Sequence, residues 1–203
     1  MDQSVKDAIA RWPNVPAVYG WLSLDGRGRW RLHPQGQAAQ GGAGESITNT
    51  QILDFINRNY EHDEAGRWYF QNGPQRVFVR LDGAPYVLRL SDNSQGLLTH
   101  TDVTVAEVSH WWLDDAGQLY ATTPAGAGIV MDRDLPALLE RLVTESGAPL
   151  LDTLADLAPA QCITVSWPGV YAAAPLEAIT RQDVAQRLVF DANPSANPSA
   201  TPD

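Results

Sequence analysis

Two short stretches of this chain have the residue types and spacing that could do chemistry: His100-Thr101-Asp102 and the segment from Gln71 to Arg76. On a strand, alternation would set the His100 and Asp102 side chains on one face. A carboxylate beside an imidazole is the orienter and base of a hydrolytic site. A metal site needs three or four ligands, and no third partner is legible near the pair, so neither a metal nor a cofactor is expected. His33, His62 and His110 stand apart from it. In the other stretch, Gln71, Asn72, Gln75 and Arg76 crowd amides and a guanidinium between largely apolar runs. Such a cluster could hold a small ligand, with Arg76 taking a carboxylate or phosphate. It could equally be plain turn chemistry around Asn72-Gly73-Pro74. These four residues are the ligand-binding candidates, and no residue is assigned a catalytic role.

Other signatures are missing. The chain has no Gly-x-Ser-x-Gly elbow, Walker loop, dinucleotide fingerprint or His-Glu-x-x-His helix. Gly41 to Gly44 is glycine-rich but lacks the Lys-Ser/Thr ending that grips phosphate. Cys162, the single cysteine, lies in an apolar run without basic neighbours and reads as a buried, inert thiol. One cysteine also excludes an internal disulfide and a cysteine-based zinc cage.

The elements that must position these residues repeat. Trp21 to Trp30 and Trp111 to Tyr120 are each an apolar run, an Asp-x-x-Gly turn and a second apolar run. Each is followed by a helix-period segment, near Ile52 and near Leu135, and then by a β-rich run from a proline to a tyrosine, Pro74 to Tyr86 and Pro159 to Tyr171. Partners stand 89, 83 and 85 residues apart, as expected of one supersecondary unit used twice. Asp at the first turn position with Gly three later suits a hairpin whose glycine is left-handed, at Gly28, Gly66 and Gly117. A short helix capped at Ser4 and stopped by Pro13 precedes the first hairpin. Thr48 or Thr50 is expected to cap the second helix, with Ile52, Phe55, Ile56 and Tyr60 as its buried stripe. Asp134 should cap a third helix running to Gly147, with a further helix over Leu150 to Leu157, a strand over Gln161 to Trp167 and a final helix opened by Thr180. The repeat Asn193 to Ala200 marks a disordered tail.

With 44% hydrophobic residues and seven tryptophans, the 203-residue chain is globular. Its net charge of −10 sits entirely in the second half: residues 1–101 hold ten basic and ten acidic side chains, residues 102–203 four and fourteen. That balance argues against a nucleic-acid partner, and no apolar run is long enough to span a membrane. The N-terminus lacks the features of a secretory signal, so cytoplasm is the expected compartment. Arg27, Arg29 and Arg31, and Arg76 with Arg80, alternate on strands near Trp30, Trp68, Tyr69, Phe70 and Phe78. Such rows read either as a binding hot spot or as solvated guards over a core of aromatics.

The stretches Trp12 to Asp25 (WPNVPAVYGWLSLD) and Gly66 to Val77 (GRWYFQNGPQRV) resemble an uncharacterised family of proteobacterial proteins known only as a domain of unknown function. The likeness covers roughly residues 5–145. More distantly, Ile52 to Leu90 resembles another bacterial family of unknown function, whose fold repeats a core motif and for which signalling has been suggested. Neither resemblance implies an activity or a catalytic residue.

The expected fold is therefore α+β, with two similar lobes, each an antiparallel β-sheet with a packed helix: an N-terminal lobe over 1–95, a C-terminal lobe over 96–190 and a disordered tail over 191–203. The expected function is that of a non-catalytic ligand-binding, protein-binding or regulatory module taking a small ligand or a protein at the seam between lobes. Two alternatives stand beside it: a hydrolase using His100 and Asp102, and a structural partner protein docking through its acidic second half.

Overall fold

The computed structural model describes residues 1–154 and 161–196. It is an α+β protein that divides into two compact units, Met1–Gly83 with Phe190–Asp203, and Ala84–Val189.

The first unit contains α1 (Gln3–Arg11), β1 (Val18–Leu24), β2 (Trp30–Leu32), β3 (Glu45–Ser46), α2 (Thr50–Arg58), β4 (Tyr60–His62), β5 (Trp68–Asn72) and β6 (Gln75–Leu81). Its six strands lie in the order β3-β2-β1-β6-β5-β4. The second unit contains β7 (Tyr86–Leu90), β8 (Leu97–Thr99), β9 (His110–Asp114), β10 (Leu119–Thr123), β11 (Gly126–Val130), α3 (Leu135–Leu139), β12 (Val143–Thr144), α4 (Leu150–Leu154), β13 (Cys162–Trp167), β14 (Tyr171–Ile179) and α5 (Val184–Arg187). Its eight strands lie in the order β12-β13-β14-β9-β10-β11-β7-β8. The first six of these, read from the other end, repeat the first sheet: β11, β10, β9, β14, β13 and β12 stand where β3, β2, β1, β6, β5 and β4 stand. Neighbours along the chain pair antiparallel, as hairpins must. The two halves of each six-strand set join at a parallel pair, β1 with β6 and β9 with β14, so each sheet is mixed at its centre.

Three hairpin turns are built alike. Asp25 Oδ1 accepts the Arg27 and Arg29 amides at 3.0 Å, and Asp114 Oδ1 accepts those of Ala116 and Gln118 at 3.0 and 2.8 Å. Asp63 Oδ1 does the same for Ala65 and Arg67 at 3.1 and 3.0 Å. Gly28, Gly66 and Gly117 follow with φ of 76°, 72° and 80°, the left-handed residue that the turn needs.

Several expectations shift. Tyr86–Leu90, grouped on sequence with the first lobe, pairs in parallel with β11 in the second sheet. A pairing between segments so far apart in the chain leaves no periodic signature. From the expected tail, the Asp191 amide donates to Gly66 O at 3.0 Å and Ala192 O accepts from Leu81 N–H at 2.8 Å, so its first residues are bonded into the first unit. Residues 197–203 lie outside the described residues, as does the end of the expected Leu150 to Leu157 helix. The cap of α2 is Asn49, whose side chain accepts the Ile52 amide. Tyr60 begins β4 and does not extend the helical stripe. The third helix is a short one, because Val143–Thr144 pairs with β13 as a strand. Asp134 makes no cap bond there and instead accepts the Leu90 amide at 2.9 Å. Cys162 is exposed, since it starts β13 before alternation turns Val165 and Trp167 inward. Among the described residues no helix is long and apolar enough to cross a membrane.

Candidate functional site

Alternation on the first sheet separates two faces. Leu22 and Leu24 of β1, Trp30 and Leu32 of β2, Phe70 of β5 and Val77 of β6 share the face that α2 covers. Phe55 meets Phe70 edge-on at 5.5 Å, the Trp30 indole N–H donates to Asn57 Oδ1 at 2.8 Å, and Ile56 is buried. The helix does not cover the whole face. Beside it lies a hollow of about 770 Å³, lined by Leu22, Leu32, Ile52, Phe70 and Val77, with Trp21 at its wall and Asn72 and Gln75 among its polar groups. Trp21, Leu32 and Ile52 are 44%, 40% and 48% exposed there. Water against so much apolar surface costs about 25 cal/mol per Å², so an apolar occupant would be stabilised on entering.

The same alternation splits the candidate turn. Asn72 and Gln75 face the hollow, and Gln75 Nε2 donates to Pro16 O at 3.2 Å. Gln71 and Arg76 do not join them: Gln71 is buried with its amide donating to Gly73 O at 2.9 Å, and the Arg76 guanidinium lies over the Tyr69 ring at 4.7 Å. The four residues thus do not form one ligand cage. Gly73, with φ 56° before Pro74, closes the two-residue hairpin.

The arginine rows are also spoken for. Arg29 and Arg31 both grip Asp25 Oδ2, at 2.8 and 2.9 Å, and Arg80 is buried against Asp82 at 2.8 Å. Beside Arg80, Ser23 Oγ and His33 Nε2 lie 2.9 Å apart, a pairing that reading His33 as isolated missed. The strand period puts Ser23 and Arg80 on one face, and His33, just past β2 with its amide donating to Trp21 O at 2.9 Å, continues the ladder and falls on that face as well. Both Ser23 and His33 are fully buried, and a Cβ on Gly44 would stand 2.8 Å from His33 Nε2, so nothing reaches the pair from solvent. Burial, and then the Arg80 charge, hold the His33 pKa below its ordinary value.

His100 and Asp102 lie beyond the end of β8, where strand alternation no longer applies. The His100 imidazole accepts the Val87 amide at Nδ1, 3.3 Å away, and burial pulls its pKa down to about 3. Asp102, at φ 63°, is exposed and binds Arg89 Nη2 at 2.5 Å. A second hollow, of about 660 Å³, is lined in the second unit by Leu113, Asp115, Glu177, Ile179, Asp183 and Arg187. Its carboxylates are engaged: Glu177 holds His110 at 3.1 Å and Arg187 at 2.9 Å, and Asp115 accepts the Arg181 amide. Among the described residues no group of three or more His, Cys, Asp or Glu could hold a metal ion.

Two solved structures are similar to this chain. A DUF1285 family protein from Silicibacter pomeroyi DSS-3 is 14% identical, with a TM-score of 0.48 over 87% of this chain and 88% of that one. A DUF1285 family protein from Shewanella baltica OS155 is 12% identical, with a TM-score of 0.41 over 59% of this chain and 90% of that one. No curated protein matches the chain. The family model DUF2944, described as "Protein of unknown function (DUF2946)", matches residues 1–195. The chain belongs to that family.

Proposed function

We propose that this protein is a non-catalytic binding module whose site is the hollow beside α2. The observation that carries the reading is the concentration of Trp21, Leu32 and Ile52, three large apolar side chains left 44%, 40% and 48% exposed, around one concave space. A volume of about 770 Å³ is in the range of ligand pockets, which are lined by apolar groups with a few polar ones that orient the guest. Asn72 and Gln75 are those polar groups. The hydrolase alternative finds no support in bonds that tie His100 to Val87 and Asp102 to Arg89.

The second unit suggests how to test this. In matching positions of the two hairpins, Leu22 and Leu32 correspond to Trp111 and Ala121, and Val77 corresponds to Ala174. Trp111, Ala121 and Ala174 are all buried, so the indole occupies there the kind of space that is open beside α2. Leu22→Trp should therefore fill the hollow. The expected result is that an anilinonaphthalene dye binds the native chain and brightens, that Leu22→Trp abolishes the signal, and that Trp111→Phe retains it. A dye signal unchanged by Leu22→Trp, in a variant of native near-UV circular dichroism, would overturn the assignment.

A further inference from the structure

The two six-strand sets differ at one edge. In the second sheet, β11 carries β7 along its outer side in parallel register, Gly128 with Tyr86 and Val130 with Leu88, and β8 pairs in turn with β7. The equivalent of β11 in the first sheet is β3, and the strand order ends there. The opposite ends, β4 and β12, are edges in both sheets, so among the described residues only the outer side of β3 is a position that this fold fills in one copy and leaves open in the other.

The backbone of β3 is set to accept a strand. Leu32 pairs with Glu45 and Arg31 with Ser46, and the Ile47 amide donates to Trp30 O at 3.0 Å. In an antiparallel ladder the inward bonds fall on alternate residues, so the N–H and C=O of Ser46, between Glu45 and Ile47, point away from β2. Both Glu45 and Ser46 are exposed. Glu45, Ser46 and Ile47 also line the hollow, which places the open edge and the apolar space side by side.

Resting on the binding function proposed above, we infer that the occupant is an extended peptide segment of a partner protein, which adds to β3 as a further strand and sets an apolar side chain into the hollow. Main-chain bonds to Ser46 would supply the pairing, and alternate side chains would supply the choice of sequence, the division of labour in strand addition. A small ligand would use the hollow and leave the edge alone.

The test is selection of a displayed library of short linear peptides against the full chain, followed by affinity measurement of the enriched peptides as synthetic probes. Enriched peptides should carry alternating apolar residues. Ser46→Pro removes the outward N–H and keeps the inward main-chain bonds. Because it also deletes the hydroxyl that accepts from Arg31 Nη1, Ser46→Ala is the control, and relative to it Ser46→Pro should weaken binding about tenfold or more while leaving the anilinonaphthalene signal intact. N-methylation of the peptide at the pairing residue should do the same with the protein unaltered, which guards against a misfolded variant. Peptides bound equally by native and Ser46→Pro protein, or no enrichment from a chain that still binds dye, would overturn strand addition and leave the hollow as a small-molecule site. Loss of dye binding from the native chain as well would overturn both.

Discussion

The hairpins β1–β2 and β9–β10 place their bulky side chains differently on the same scaffold. The first has Leu22 on β1 and Trp30 on β2, and the second has Trp111 and Leu119 in the corresponding positions. At these two positions each hairpin carries one tryptophan and one leucine, and all four side chains are buried. What changes is where the indole falls. Trp111 lies toward the end of the sheet where Ala121 and Ala174 leave it room, a large residue interdigitating with small ones. Leu22 faces Leu32 and Val77, which do not fill the same space. The open space beside α2 and the packed space around Trp111 thus differ in the placement of one large side chain, with strand order held constant. The second unit also gains β7 and β8, and a core cluster there extends onto Leu88, Leu97, Val105 and Val108.

If that comparison is right, substitutions in matching positions should differ in cost. Trp111→Leu should destabilise the chain most, by about 3 kcal/mol from lost burial and the cavity left, whereas Leu22→Trp, measured in the same urea titrations, should stay within about 1.5 kcal/mol because its site is vacant. Equal losses would mean that the two positions are not equivalent. Next in size is Gly128→Ala. A Cβ there would stand 2.6–2.8 Å from the Leu88 side-chain carbons, across the contact of β11 with β7. About 2 kcal/mol should be lost as Leu88, fully buried, is displaced, and hydrogen exchange should rise first in β7 and β8.

The addition also carries a titrating group. The half-buried His100 has its pKa pulled down to about 3 from the ordinary 6.5, so between those values the unfolded chain binds a proton that the folded chain refuses. Its contribution is whole above about pH 6.5 and is lost as pH falls through that window, at up to about 1.4 kcal/mol per pH unit. His100→Phe should flatten that slope in pH-dependent unfolding, over the remaining slope from Asp25 and Asp63, whose pKa values are held low by bonds to Arg31 and Arg29 and to Arg67 against the cost of burial. The smallest expected effects belong to the turns. Gly28→Ala, Gly66→Ala and Gly117→Ala should each cost about 1 kcal/mol from left-handed strain, and similar losses at Gly28 and Gly117 would support a common origin for the two hairpins, which we infer from their shared strand order. A melting temperature unmoved in either would break the correspondence.

Local chemistry was legible in the residues themselves. Asp-x-x-Gly specified three turns because an Asp carboxylate can bond its own following amides and only glycine is at ease in the last position. The apolar runs of β1 and β9 announced strands, and the 89-residue offset matched their two hairpins. The offset of 85, however, set Pro74–Tyr86 against Pro159–Tyr171, whereas the strand order places β6 opposite β14 and Val77 with Ala174, because the second unit has longer connections. Legibility ended where a contact joins distant segments. Tyr86–Leu90 reads as a strand but carries no mark of the sheet it will enter, since parallel pairing with β11 depends on main-chain groups common to every residue. The candidate turn showed the same limit: Gln71, Asn72, Gln75 and Arg76 are neighbours in sequence, yet the two-residue strand period sends one pair to the hollow and the other to the opposite face. Ser23 and His33 do share a face by the period of the β1–β2 hairpin, since His33 stands two residues after Arg31, the partner of Ser23, whereas β8 ends at Thr99, after which His100 takes the Val87 amide and Asp102 binds Arg89. Side-chain period, turn type and charge are properties of nearby residues and were set by the sequence alone. Which strands pair, which face a helix covers and which space is left unfilled are sums over contacts between remote residues, and only the tertiary structure decided them.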